Sequence, residues 1–346
     1  MSAALRILSP GLSTTIQDFG RHGFQRLGVS VSGALDTVSL RAANLLAGNV
    51  ANAGALEAVY TGPTIAVEAD DVRLGFAGAD AAIEILADAQ AEAGEIIAPM
   101  RSVRARRGQV IRIGSFKAGA TLYIAVEGGF AIDAVLGSVS TDSRGRLGGW
   151  HGRPLIAGDV LPLSRMTASE RAEFQIGGLD LAAPRRFRAV LGPQSDHFYD
   201  AEIESFFGSD YVVSAGSNRM GMRLDGKPVR HRRGFNIVSD AIAPGAIQVP
   251  GSGQPIVLLA DRQTTGGYPK IATVISADLP ALGRVPIGSA ISFAAVSLEE
   301  AAAARHELLE RFDAIERAMT PIAPAASVDA RLLECNLISG VHDAAA

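Results

Sequence analysis

The stretch "ADRQTTGGYPKIATV", residues 260–274, concentrates hydrogen-bonding side chains between two apolar runs. Asp261 accepts an N–H, Arg262 and Gln263 donate to a carbonyl or carboxylate, and Thr264 and Thr265 do either. Gly266 and Gly267 let backbone approach a ligand closely, and Tyr268 and Lys270 follow at once. This set suits a small amide, ureido or carboxylate group. The same residues would also make a self-satisfied polar turn, because buried polar groups must find partners in any case. Residue chemistry alone leaves both readings open.

Other familiar chemistries are missing. There is no G-x-x-x-x-G-K-[ST] phosphate loop, no H-E-x-x-H, no paired-cysteine pattern and no G-x-S-x-G nucleophile elbow. The six histidines are scattered, which argues against a histidine-rich metal site. Arg230, His231, Arg232 and Arg233 form a basic run that reads first as a solvated face. A net charge of −4 favours neither nucleic acid nor an anionic membrane. No run approaches the roughly 20 apolar residues of a membrane span. The N-terminus lacks the apolar core of a signal peptide. The lone Cys335 has no partner for an internal disulfide, so a cytoplasmic location is expected.

The elements that must position these residues are mostly strands. Period-two segments occur at 54–60, 63–69, 72–77, 81–86, 109–114 and 120–127, and again near 187–191, 211–215, 220–224, 246–249, 255–260, 271–276 and 290–296. Short strands at this spacing suggest a barrel or sandwich. Three helices punctuate them. Residues 34–49 carry an apolar face through Leu35, Val38, Ala42, Leu45 and Leu46, with Ser32 or Asp36 as the start cap and Gly48 at the end. Residues 196–208 read as a second helix. Residues 297–319 read as a third, with a Ser297/Glu300 capping box and a stripe from Leu298 to Met319. The polar, glycine-rich 9–33 reads as a long arm in which Gln17, Arg21, His22 and Arg26 either line a site or pack on the surface. The Pro/Ala-rich 320–327 reads as a linker to a tail.

Four blocks carry a family resemblance: "TTIQDFGRHGFQRLGVSVSGALDTVSLRAANLLAGN", "SNRMGMRL", "SDAIAPGAIQVP" and "PIVLLADRQTTGGYPKIATV". Together they resemble the biotin-dependent carboxyltransferase, or allophanate hydrolase subunit 2-like, family over roughly residues 5–296. That family includes the C-type subunit of bacterial 5-oxoprolinase, KipA-type antagonists and the carboxyltransferase part of urea carboxylase. The resemblance implies a mainly β, cyclophilin-like barrel architecture in two related units: 1–180 with the polar arm, and 181–296. A C-terminal helix, 297–319, and a linker and tail, 320–346, would lie outside them. It further implies a small lactam or amide substrate, ATP-dependent chemistry shared through a complex, and partners like the A- and B-type subunits of 5-oxoprolinase. The motif positions are Arg21, Ser32, Asp36, Asn44, Ser143, Arg144, Arg219, Gln248, Asp261, Arg262, Gln263 and Thr264, with Thr265, Tyr268 and Lys270 in the same loop. Asp261, Arg262 and Gln263 are the expected catalytic set, and the rest are expected to bind substrate. No metal is expected. None of the three lysines, Lys117, Lys227 and Lys270, sits in a Met-Lys-Met signature, so no covalent biotin is expected on this chain. Carboxyl transfer to a urea-like acceptor and a non-enzymatic, KipA-type regulatory role are the alternatives.

Overall fold

The barrel pattern materialises in the second half of the chain. The computed structural model describes residues 3–322. Seven strands there close into a ring, in the order Arg186–Leu191, Lys270–Val274, Ala246–Gln248, Ile256–Leu258, Gly221–Gly226, Asp210–Val213 and Ala290–Ala295. Closure leaves no free edge, which is how short strands avoid unpaired backbone groups. Phe187, Tyr211, Leu224, Val257 and Phe293 of its strands share one core with Phe206 of the helix Asp200–Phe207. We call this unit the barrel.

The first half supplies ten strands of an eleven-stranded sheet. Its spine is two long antiparallel strands, Asp71–Leu86 and Val110–Val126. Each fuses two segments that the sequence separates. The ladder between them shifts register at Gly78, Asp80 and Ala81, and Gly78 takes φ 124°, so the strands bend without ending. The polar arm also contributes a strand, Ser13–Gln17, paired with Ala55–Val59. We call this unit the sheet.

Four helices of the described residues pack on these strands. We label them α1 (Thr37–Ala47), α2 (Asp200–Phe207), α3 (Leu279–Leu282) and α4 (Leu298–Arg317). Helix α1 starts at Asp36, whose Oδ1 accepts from the N–H groups of Val38 and Ser39, and ends at Gly48 with φ 87°. Its apolar side packs on Ala77, Tyr123 and Ala125 of the spine, while Leu308 and Ile315 of α4 join the same core. The capping box of α4 forms as read, although Leu298 at its first turn is exposed rather than packed. After α4, Met319–Pro321 pairs with Phe174–Ile176, so the expected linker begins with a strand of the sheet. Cys335 and the expected tail lie outside the described residues.

Candidate functional site

The polar arm and the 260–274 loop meet where the sheet contacts the barrel. Arg219 sits in the turn before strand Gly221–Gly226 and forks onto Asp261, Nε to Oδ2 at 2.9 Å and Nη2 to Oδ1 at 3.1 Å. Its Nη1 donates to Glu57 Oε1 on strand Ala55–Val59, and its Nη2 also donates to the carbonyl of Gly33 at 2.5 Å. Glu57 Oε2 accepts from the Tyr123 hydroxyl at 2.5 Å and from the Leu35 N–H at 2.8 Å. The Tyr123 oxygen in turn accepts from the Asp36 N–H at 2.8 Å. Asp36 Oδ2 takes Arg284 Nη1 at 3.0 Å and the Ser39 hydroxyl. A continuous lattice, Asp261–Arg219–Glu57–Tyr123–Asp36–Arg284, thus leaves the barrel, crosses the sheet and returns to the barrel side.

Most of this lattice is buried, with Arg219 itself half-buried. Glu57, Tyr123 and Asp36 have almost no exposed surface, and Asp261 and Arg284 are buried. Burial alone would lower the pKa of Arg219, but the charges of Asp261 and Glu57 outweigh it and hold the guanidinium well above its ordinary value. Burial, reinforced by Glu57 and Asp36, pushes the Tyr123 phenol well above its usual value, so it stays neutral and donates.

Beside the lattice, the arm docks into the glycine-rich loop. Asp18 Oδ1 accepts from Ser138 Oγ at 2.6 Å and Ser140 Oγ at 2.5 Å, and its Oδ2 accepts from the Val139 N–H at 2.8 Å. Arg21 is buried and donates through Nη2 to the Ser140 carbonyl, whereas its Nη1 has no partner among the described residues. Burial lowers its pKa despite nearby Asp142, Asp18 and Asp261. Gln17 Oε1 and Ser32 Oγ are likewise buried and unpartnered among the described residues. Ser32 adopts φ 53°, and Leu136, Arg146 and His151 of the facing loop are also left-handed. Such non-glycine conformations cost energy and concentrate where geometry serves a site. Ser143 and Arg144 lie exposed on a turn fixed by Asp142, and Arg144 Nη1 reaches Met220 Sδ at 3.3 Å, next to Arg219.

The structure therefore gathers Arg21, Ser32, Asp36, Arg144, Arg219 and Asp261 around the junction. Arg262 is buried next door, with Nε on the Ile242 carbonyl and Nη1 on the Leu259 carbonyl, both at 3.2 Å. Gln263 is half-buried and its side chain bonds to no described residue. Other expected site residues lie in different surroundings. Asn44 braces the turn after α1 by donating to the carbonyls of Ala53 at 2.7 Å and Ala51 at 3.3 Å. Lys270 is buried and pairs with Asp240 at 2.9 Å, and Gln194 also donates to Asp240. Gln248 donates to the Tyr268 carbonyl at 3.4 Å, Thr264 accepts from the Ile242 N–H through its carbonyl, and Thr265 pairs with Ala241 in a two-residue ribbon. None of these residues shares a partner with Arg219 or Glu57. Sequence reading missed Glu57, Tyr123, Asp18 and Arg284. A glutamate inside the apolar strand "ALEAV" was the available signal.

The family model for "Carboxyltransferase domain, subdomain A and B" matches residues 27–295, which takes in most of the sheet and the whole barrel but not α4. The chain is 41% identical over 310 residues to the C-type subunit of 5-oxoprolinase from Escherichia coli, covering 89% of this chain and 96% of that one. It is 39% identical over 314 residues to the C-type subunit of 5-oxoprolinase from Haemophilus influenzae, covering 90% and 97%. Among solved structures, the Kluyveromyces lactis urea carboxylase superposes with a TM-score of 0.81 at 27% identity, covering 93% of this chain but only 30% of that one. With its motifs, its barrel and this match in hand, the chain belongs to the carboxyltransferase domain, subdomain A and B, family.

Proposed function

We propose that this chain is the C-type member of a cytoplasmic 5-oxoprolinase, acting with two further subunits to open the lactam of 5-oxoproline at the expense of ATP. The carrying observation is the extent of the match: identity of 41% and 39% runs through 96% and 97% of two proteins of that name. The urea carboxylase likeness accounts for only 30% of the larger chain. No helix of the described residues is long and apolar enough to cross a membrane.

A lactam resists water because nitrogen donates into its carbonyl. Transfer of the terminal phosphoryl group of ATP to the lactam oxygen would remove that protection. Water then adds to the ring carbon, the ring nitrogen leaves as the amine, and a second water cleaves the resulting acyl phosphate to glutamate and phosphate. The chain's own contribution is to bind and orient. Asp261 keeps acceptor lone pairs beyond the Arg219 fork, enough for a ring N–H. Gln263 offers an uncommitted amide for the ring oxygen, where a pre-aimed donor is worth most. With no glycine-rich Lys-Ser/Thr phosphate loop in the sequence, nucleotide binding is assigned to the assembled complex rather than to this chain alone.

The test is reconstitution with A- and B-type subunits. The complex is expected to hydrolyse ATP in response to 5-oxoproline, release glutamate and ignore avidin, while the isolated chain shows negligible turnover. Inhibition by avidin, or stimulation by urea and bicarbonate but not by 5-oxoproline, would transfer the assignment to biotin-dependent carboxyl transfer. Full turnover by the isolated chain would remove the need for partners.

A further inference from the structure

A cleft of about 620 Å³ lies between the 19–37 segment of the sheet, the 258–262 and 276–280 segments of the barrel, and α4. Its walls are apolar where they are broad, with Phe19, Val31, Leu35, Leu279 and Phe312. Its charged groups are basic, Arg262 at depth and Arg305 on an exposed position, and His22 lines its exposed edge. No Asp or Glu is among the described residues that line it. Arg262 is only 4% exposed, and no carboxylate of the described residues makes an ion pair with it. Its Nε and Nη1 are anchored on two backbone carbonyls, and Nη2 bonds to no described residue. Ser32, also 4% exposed, lines the same cleft, and its hydroxyl is buried in the wall with no partner among the described residues.

We propose that this cleft binds a small carboxylate with an apolar body, its carboxylate held by Arg262 and the Ser32 hydroxyl, and its mouth closed by Arg305 and Phe312 of α4. A desolvated cation without a counter-charge is costly, and an anionic ligand relieves that cost. The guanidinium geometry matches a carboxylate better than an ammonium would. Burial lowers Arg262 to about 10, which leaves it charged at neutral pH. The apolar walls exclude a bare inorganic anion as the best occupant, because they would gain nothing from it. The inference assigns a role to α4, which lies beyond the family match at residue 295. Identifying the ligand as 5-oxoproline rests on the proposed function, whereas the carboxylate site does not.

Calorimetric titration of the full chain, alone and in the complex, tests it with four probes: 5-oxoproline, cyclohexanecarboxylate, 2-pyrrolidinone and inorganic phosphate. The two carboxylates should bind, and 2-pyrrolidinone, which is the lactam without its carboxylate, should bind at least about 10-fold more weakly. Arg262→Met should weaken both carboxylates about 10–100-fold. Because Arg262 also ties two loops together, two fold-sparing variants carry the same question. Ser32→Gly suits φ 53° and removes the hydroxymethyl group, hydroxyl included. Arg305→Glu sits on an exposed position, and its several-fold loss should shrink as salt rises. Cyclohexanecarboxylate binding through Arg262 without 5-oxoproline binding would support the site and count against the 5-oxoprolinase reading. Phosphate binding as tightly as the carboxylates, wild-type affinity in all three variants, or failure of both carboxylates to bind would overturn the proposal.

Discussion

Replacing Arg219 by Met isolates what the buried lattice does. The change removes the fork onto Asp261, the bond to Glu57 and the bond to the Gly33 carbonyl, and keeps only an unbranched apolar stem. The two carboxylates left behind differ. Asp261 is 8% exposed and can recruit water, while Glu57 is 1% exposed and keeps only the Tyr123 hydroxyl and the Leu35 N–H. Removing one partner of a buried ion pair typically costs about 3–5 kcal/mol, and here most of that falls on Glu57. Adding Glu57→Gln to Arg219→Met removes the stranded charge, so the double variant should recover about 0.5–3 kcal/mol, the range of contact-coupled pairs. Urea titration with two probes reads this. Trp150 packs against the core of the sheet and reports that unit, while far-ultraviolet circular dichroism reports both. The two transitions should separate in Arg219→Met, because the lattice joins the units. A loss below about 1 kcal/mol, or a double variant weaker than the single one, would refute the argument that Glu57 is stabilised by Arg219.

Tyr123→Phe, which opens no cavity, should cost about 1.5–3 kcal/mol for the bond to Glu57 and should speed amide exchange at Asp36, whose N–H loses its acceptor; unchanged exchange there would contradict the lattice. Burial, with Glu202 adding to it, raises the Tyr211 phenol to about 12, so its contribution to stability is complete below the unfolded value near 10. That contribution is lost as pH rises from there toward 12, at about 1.4 kcal/mol per pH unit, and Tyr211→Phe should remove one proton's share of the alkaline slope in denaturant titrations.

Helices α1 and α4 were legible because period and caps agree: Asp36 and Gly48 bound one, and the Ser297/Glu300 box opens the other. The long strands were not, because the "AGADA" interruption in Asp71–Leu86 looks like a turn until its partner strand is known. Ser13–Gln17 hid inside the polar arm because Thr14, Thr15, Ile16 and Gln17 are all buried, which erases the alternation of a half-exposed strand. For the site, the motif residues announced polarity but not its use. Arg219 meets Asp261 across 42 positions and Glu57 across 162, and Arg284 meets Asp36 across 248. No local pattern encodes such pairings. Only the barrel and the sheet, once folded, decide which carboxylate each guanidinium reaches.

That decision separates two roles that look alike in the sequence. Asp261 and Arg262 are adjacent, both buried and both polar, yet their surroundings are opposite. Asp261 is held by a guanidinium on two sides of its carboxylate, and its strongest measurable effect is expected on the union of the two units. Arg262 has backbone carbonyls for two of its nitrogens and no carboxylate partner among the described residues. A protein gains nothing in stability from leaving a buried cation uncompensated, since the desolvation cost is not returned by any internal charge. Such a group persists where an external anion completes it. This contrast in buried charge is the basis of the carboxylate site proposed at Arg262. Asp261, one peptide bond away, is fixed by the Arg219 fork and keeps lone pairs for the ring N–H proposed above.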